Sequence, residues 1–277
     1  IGSNLVDELV SKGHEVLVID NLSGGKKENI NSKAIFHKKD IRNLKSIKPL
    51  FKGVDYVFHL AALPRVQYSI ENPIETTEVN INGTVNVLIA SYEAGVKKVI
   101  YSASSSAYGD QPGSRSPRSA KGANAKQLGL SLPGQKVQPL KESMAVNPKS
   151  PYGLQKFVGE LYCQVWSQVY GLPTVSLRYF NVYGSRNNAD GAYALVIAKF
   201  LKQRQLGQPM TITGTGKQTR DFTSVHDIVR ANILAMKSSK VGQGEVINIG
   251  AGKNHSINKV TQLIGGPIKY IPARFEP

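Results

Sequence analysis

Short apolar runs alternate with helical patterns along most of this chain, and that alternation limits the fold more than any other feature. A helical stretch from about Ser3 to Lys12, stopped by Gly13, precedes an apolar run of strand type, His14 to Ile19, that ends at Asp20. Val54 to Leu60 reads as a second strand, Thr84 to Ala94 as a helix closed by Gly95, and Val96 to Ser102 as a third strand. A long helix then opens at Pro151 and stops at Gly171, and Thr174 to Tyr179 is a fourth strand. Strands that alternate with helices lie parallel and are joined by right-handed crossovers. Runs without strict apolar–polar alternation belong to a sheet covered on both faces. The expected fold is therefore α/β, a doubly wound parallel sheet. After Asn181 the pattern changes. Leu195 to Leu206 and Val225 to Met236 read as helices, and Met210 to Thr213 and Glu245 to Ile249 as short strands ahead of glycine turns. This predicts one domain over 1–180 and a smaller C-terminal lobe over 181–277, with about 225–250 returning to the first.

A chain of 277 residues is long enough to bury a sizeable core. No apolar run is long enough to span a bilayer, and no signal peptide is legible in the first residues. The single cysteine, Cys163, excludes an internal disulfide and a cysteine metal cluster and suits a reducing, cytoplasmic setting. The net charge of +16 calls for an anionic partner, either nucleic acid or an acidic small molecule. The basic residues are spread along the chain, with no helix-turn-helix, finger or aromatic–basic strand motif, which argues against nucleic acid.

The chemistry concentrates on the long helix. Ser150 caps it, Pro151 suits its first turn, and Tyr152 and Lys156 are four apart and so share a face. An ammonium beside a phenol favours the phenolate, and the pair becomes a usable base near neutral pH. Alone, the same spacing also reads as a surface tyrosine beside a solvated lysine. Asp20 ends a strand 18 residues after Gly2. In a dinucleotide fold an acid there bonds the ribose 2′-hydroxyl and repels a 2′-phosphate, favouring NAD over NADP. It is equally the first residue of a turn. Asp40-Ile41-Arg42 follows another apolar stretch, and Leu60-Ala61-Ala62 ends a strand with small residues where backbone can approach a ligand.

Taken together, these stretches resemble the extended short-chain dehydrogenase/reductase family, and within it the NAD-dependent nucleotide-sugar 4-epimerases, of the UDP-glucose 4-epimerase kind. The matching segments are Ile1 to Leu5, Asp20 to Ser23, Asp40 to Arg42, His59 to Ala62, Ser102 to Gly109, Ser150 to Gly153, Arg178 to Gly184 and Gln218 to Phe222. The resemblance implies a Rossmann-type fold, an NAD cofactor, a UDP-sugar substrate and a homodimer formed through a helix bundle that includes the Tyr152 helix. It implies cofactor contacts from Gly2, Asp20, Asn21, Asp40, Ile41, Leu60, Ala61, Ala62, Asn80 and Tyr179, together with Tyr152 and Lys156. Ser104 matches the hydroxyl that bonds the sugar O4 and relays its proton to Tyr152, with Ser106 as a helper. Asn181, Arg220 and Arg274 match substrate contacts, the arginines as grips on the diphosphate through forked, charge-assisted hydrogen bonds. Ser105-Ser106 stands where the family's 4,6-dehydratases carry an Asp-Glu pair, and the glutamate usual in decarboxylating relatives is also absent from this turn.

Three departures accompany the resemblance. Relatives open with a strand and a glycine-rich turn of which Gly2 matches the last glycine, and they continue beyond Pro277, so the chain reads as truncated at both ends. Tyr108 and Tyr152 stand 44 residues apart, wider than the family pattern. The excess, about 113–138, carries Arg115, Arg118, Lys121, Lys126 and Lys136 and no acid, a composition that predicts a disordered basic insertion. The expected function is NAD-dependent epimerisation at C4 of a UDP-hexose through a transient 4-keto sugar. A related nucleotide-sugar decarboxylase or reductase, or a dinucleotide-binding sensor without activity, stays open at this point.

Overall fold

The computed structural model describes residues 1–109, 111, 139–189 and 195–272. The expected insertion at 113–138 and Arg274 lie outside the described residues. In chain order the strands are β1 (Leu17–Asp20), β2 (Ile35–Lys38), β3 (Tyr56–His59), β4 (Lys98–Ser104), β5 (Thr174–Tyr179), β6 (Asn181–Tyr183), β7 (Met210–Thr213), β8 (Thr219–Ser224), β9 (Gln243–Ile249), β10 (Asn254–Ser256) and β11 (Ile268–Ile271). The α-helices are α1 (Gly2–Ser11), α2 (Leu44–Ile47), α3 (Val66–Glu71), α4 (Pro73–Thr77), α5 (Gly83–Glu93), α6 (Pro151–Tyr170), α7 (Val196–Gln205), α8 (Val225–Lys237) and α9 (Ile257–Ile264). No helix among them is long and apolar enough to cross a membrane.

Two compact units divide the chain: Ile1–Asp40, Tyr179–Ser239 and Ile249–Pro277 in the first, Ile41–Arg178 and Lys240–Asn248 in the second. They are drawn differently from the 1–180 and 181–277 expected from the sequence, because the first forty residues pack with later segments. Within the first unit α1 packs on α8.

The second unit is built on a four-stranded sheet in the order β3-β4-β5-β9, with β3 and β4 parallel. Every residue of β4 and β5 is buried, as expected of strands covered on both faces. Helix α6 lies against β4. The Ser150 hydroxyl accepts from the Gly153 N–H at 3.1 Å, Pro151 fills the first turn, and Gly171 ends the helix at φ 70°. Gly159 sets how closely helix and strand approach: a Cβ there would lie 2.5 Å from Cζ of Tyr101 on β4. Between α4 and α5, residues Glu78–Asn82 form a π-helical turn rather than an α-helical one, and the turn buries Val79 and Asn80.

In the first unit β1 and β2 pair in parallel. A second sheet has the order β10-β8-β6, with β6 parallel and β10 antiparallel to β8. β7 and β11 pair in parallel, and Phe200 of α7, Met210 and Ile212 of β7, and Ile257 and Val260 of α9 form their core, with Phe222 of β8 against it. Parallel pairs interleaved with helices are the α/β architecture of Rossmann type that the sequence predicts.

Candidate active site

Helix α6 and the end of β4 bring Tyr152, Lys156 and Ser104 together in the second unit, all buried. β4 ends at Ser104, whose hydroxyl caps the following 3-10 turn (Ser105–Tyr108) by accepting the Ser106 N–H at 3.1 Å. The same oxygen bonds the Ser106 hydroxyl at 3.1 Å and the Tyr152 phenol. Three hydroxyls are thereby linked. The Tyr152 backbone N–H is held by the Ser69 hydroxyl at 3.0 Å, which fixes the first turn of α6.

The Tyr152 phenol is not lowered as the spacing predicts. Burial raises the Tyr152 phenol above its usual range, and the hydrogen bond with Ser104 pulls it back part of the way. The Lys156 amine instead donates to the Ser102 carbonyl at 2.7 Å and sits 4.9 Å from the Tyr101 ring centroid. Burial pushes Lys156 down to about 8, against the pull of Cys163 and Glu160. Helical spacing alone places the two side chains on one face; it does not say which acceptor the ammonium meets first.

Beneath the pair lies a layer that the sequence reading did not single out. His59, at the end of β3, is pushed down to about 3 by burial and by the charge of Lys156, and so is neutral. The Thr84 hydroxyl donates to the Asn80 carbonyl at 2.7 Å, so it accepts from His59 Nε2–H across 2.9 Å, which fixes the imidazole tautomer. The ring of Tyr101 stands 5.6 Å from His59. Further along α6, Glu160 accepts from Arg178 Nε at 2.9 Å and Nη2 at 2.6 Å, both side chains buried. The signal for these residues was present in the sequence. An arginine inside the apolar strand Thr174 to Tyr179 needs a buried acid, and Glu160 follows Lys156 by one helical turn.

Leu60, Ala61 and Ala62 leave β3 half-buried. The next residue is fastened by Asn80, whose Oδ1 accepts the Leu63 N–H at 2.8 Å and whose amide donates to the Leu63 carbonyl at 3.2 Å and to Gln155 Oε1 at 2.8 Å. Gln155 continues to the Thr76 and Thr77 hydroxyls at 3.0 and 3.2 Å. Asn80 thus shapes the loop after β3 from below. Ile41 is buried against Gly83, and its carbonyl accepts from Asn86 at 2.9 Å.

In the first unit, Asp20, Asn21 and Asp40 gather where β1 and β2 end. Asp20 Oδ1 accepts the Leu22 N–H at 2.6 Å, Asn21 Oδ1 the Ser23 N–H at 2.9 Å, and the Asn21 amide donates to Asp40 Oδ2 at 3.0 Å. Gly2 opens α1, with open space where a Cβ would stand. The Tyr179 hydroxyl is paired with the Asn232 amide at 2.7 Å. Asn181 starts β6 and donates to the Asp221 carbonyl at 3.1 Å. Arg220 is exposed on β8, opposite His255 of β10, and donates to the Thr219 carbonyl at 2.9 Å. Its neighbour Asp221 is occupied elsewhere: its two oxygens accept the Ala251 and Gly252 N–H groups at 2.8 Å each. Among the described residues no group of histidine, cysteine and acidic side chains is arranged to hold a metal ion.

Comparison with known proteins bears on this arrangement. Residues 1–250 match the profile of the NAD dependent epimerase/dehydratase family. A putative UDP-glucose 4-epimerase of Methanocaldococcus jannaschii is 36% identical over 265 residues, covering 95% of this chain and 78% of the relative. A UDP-N-acetyl-alpha-D-glucosaminuronate decarboxylase of Bacillus cytotoxicus is 37% identical over 269 residues, covering 95% and 76%. The crystal structure of the Thermotoga maritima UDP-glucose 4-epimerase with UDP-glucose superposes with a TM-score of 0.84 at 35% identity, covering 99% of this chain and 82% of that one. A parallel α/β framework, a helix-borne Tyr-x-x-x-Lys pair joined to a serine, and these matches together make the chain a member of the NAD dependent epimerase/dehydratase family.

Proposed function

We propose that the protein inverts C4 of a UDP-hexose through a transient 4-keto sugar. The observation that carries this reading is the linked set of hydroxyls, Tyr152, Ser104 and Ser106, with the buried Lys156 one helical turn beyond Tyr152. Membership of the family makes NAD the cofactor, and the residues present fit it. Asp20 and Asp40 offer an acceptor-rich edge that suits ribose hydroxyls and repels a 2′-phosphate. Lys156 and Tyr152 offer a donor pair to the ribose at the nicotinamide end. NAD, when bound, supplies the group that takes up and returns the hydrogen at C4.

The chain's own residues handle the proton. Ser104 bonds the sugar O4 and passes its proton to the Tyr152 oxygen, and the Ser104–Ser106 bond keeps that hydroxyl oriented. Because burial disfavours the phenolate, Tyr152 becomes a base only with a positive charge at hand. Lys156 provides it below about pH 8. Arg220 holds the diphosphate from its exposed place near the start of β8, and Asn181 adds a substrate contact. Held by its diphosphate, the keto sugar turns and receives hydrogen on its other face.

A second reading is decarboxylation of a nucleotide-sugar acid, favoured by the 37% identity to the Bacillus cytotoxicus decarboxylase. The turn Ser104 to Tyr108 carries no glutamate, which weighs against it. Proton NMR of UDP-galactose, UDP-N-acetylglucosamine and UDP-glucuronate incubated with the protein separates the two. A C4 epimer without net NADH is expected; release of carbon dioxide or of stoichiometric NADH overturns the proposal.

We also propose a homodimer. Leu154, Leu161, Val165 and Val169 leave an exposed apolar row on α6, beside Tyr92 of α5. Sedimentation should give a dimer, and Val165→Glu a monomer.

A further inference from the structure

We propose that Glu160, clamped by Arg178, is a positioning residue that keeps the Lys156 amine charged inside the protein. The inference rests on the reading above only for its consequence, since its test observes Lys156 itself. Glu160 stands one helical turn beyond Lys156 on the same face of α6. Lys156 is 4% exposed and Glu160 1%, and Glu160 is the one carboxylate among the buried residues described. The Lys156 amine meets the Ser102 carbonyl and the face of Tyr101, both uncharged. A buried ammonium is costly unless an opposite charge lies near it.

Arg178 explains why the anion stays where it is needed. Its fork engages both Glu160 oxygens, the short bidentate geometry of a carboxylate rather than an acid. Glu160 therefore cannot swing onto Lys156 and acts on it across space. Arg178 is held in turn by the Tyr108 ring, 4.5 Å from its guanidinium carbon, and the Tyr108 hydroxyl donates to Asn248 Oδ1 at 2.8 Å. The guanidinium's other nitrogen, Nη1, has no hydrogen-bond partner among the described residues.

The remaining titratable groups around Lys156 are silent in the relevant range. Tyr152 and Cys163 face it from α6, Tyr101 from β4 and His59 from β3. Burial holds both tyrosines above their usual range, Cys163 up at about 12 and His59 down at about 3. All four are neutral where Lys156 changes charge, and Glu160 is the anion left. Lys156, Glu160 and Arg178 together leave one positive charge, which ionisation of Tyr152 neutralises. The clamp thereby prepares the charge balance that the proton transfer needs.

The test titrates Lys156 in the ligand-free protein by NMR of 13C-enriched lysine side chains, with its resonance identified by loss in Lys156→Arg. Glu160→Gln keeps the shape and removes the charge. The Lys156 midpoint is expected to fall from about 8 by about one pH unit. Glu160→Asp, which retains the charge, is expected to restore most of it. Should Glu160→Gln fail to fold with Arg178 stranded, the double variant Glu160→Gln/Arg178→Gln removes both charges, and a smaller fall in the same direction is expected, because the repulsion from Arg178 is lost along with the attraction of Glu160. An unchanged midpoint in either folded variant overturns the proposal. A fall in the midpoint, with a wild-type protein that epimerises no UDP-sugar, upholds this inference and overturns the functional reading instead.

Discussion

Tyr152, Lys156 and Ser104 are buried side chains held by a long helix and a fully covered strand, whereas Asp20, Asn21 and Arg220 stand half-buried or exposed on turns and a strand end. The first group takes its electrostatic character from the protein interior. Burial moves the pKa of both Tyr152 and Lys156, and the neighbours that modulate them are side chains of the same unit. The second group bonds mainly to local backbone and to itself, as Asn21 does with Asp40 and Arg220 with Thr219. Such groups stay adaptable until a ligand meets them. On the proposed reading, the residues that would move protons are fixed in advance, and those that would grip a ligand are left at the surface.

Four substitutions would break or sharpen that contrast. Tyr152→Phe should lower turnover by about 10²–10⁴-fold while NAD binding, followed by fluorescence quenching, stays near the wild-type level. Equal turnover would show that the buried group is not the base. Gly159→Ala inserts a methyl into the Tyr101 ring and should cost about 1–3 kcal/mol in denaturant unfolding. A neutral result would mean that α6 can lift from β4 without penalty. Arg220→Ala should raise KM for a UDP-sugar about tenfold and leave kcat nearly unchanged, the signature of lost binding rather than lost chemistry. A fall in kcat at constant KM would move Arg220 into the first group. Ser150→Ala removes the cap of α6 and should cost about 1 kcal/mol, with turnover at saturating substrate unchanged below the unfolding transition.

The sequence carried helix α6 almost residue by residue, because its limits are set by local chemistry: a serine cap, a proline in the first turn and a glycine at positive φ. Strands β5 and β7 were legible for a similar reason, as short apolar runs between clear breaks. Strands β6, β8 and β10 were not. Thr219–Ser224 and Asn254–Ser256 are short and polar, and they become strands only through pairing with one another and with β6. The site divides along the same line. Spacing alone put Tyr152 beside Lys156. That Lys156 donates to Ser102 and that Asn80 fastens Leu63 are tertiary facts. The phenol stands above its usual range rather than below it because burial outweighs the hydrogen bond that pulls it down.

The π-helical turn at Glu78–Asn82 stores one residue more than a regular helix would use. Deleting a single codon there would straighten the run from Pro73 to Glu93 and rotate its first half by about 100° against its second. Asn80 would swing off Leu63, and the segment leaving β3 would come loose. Regularity and grip are opposed at this point, and a shorter, better-formed helix would make a poorer enzyme.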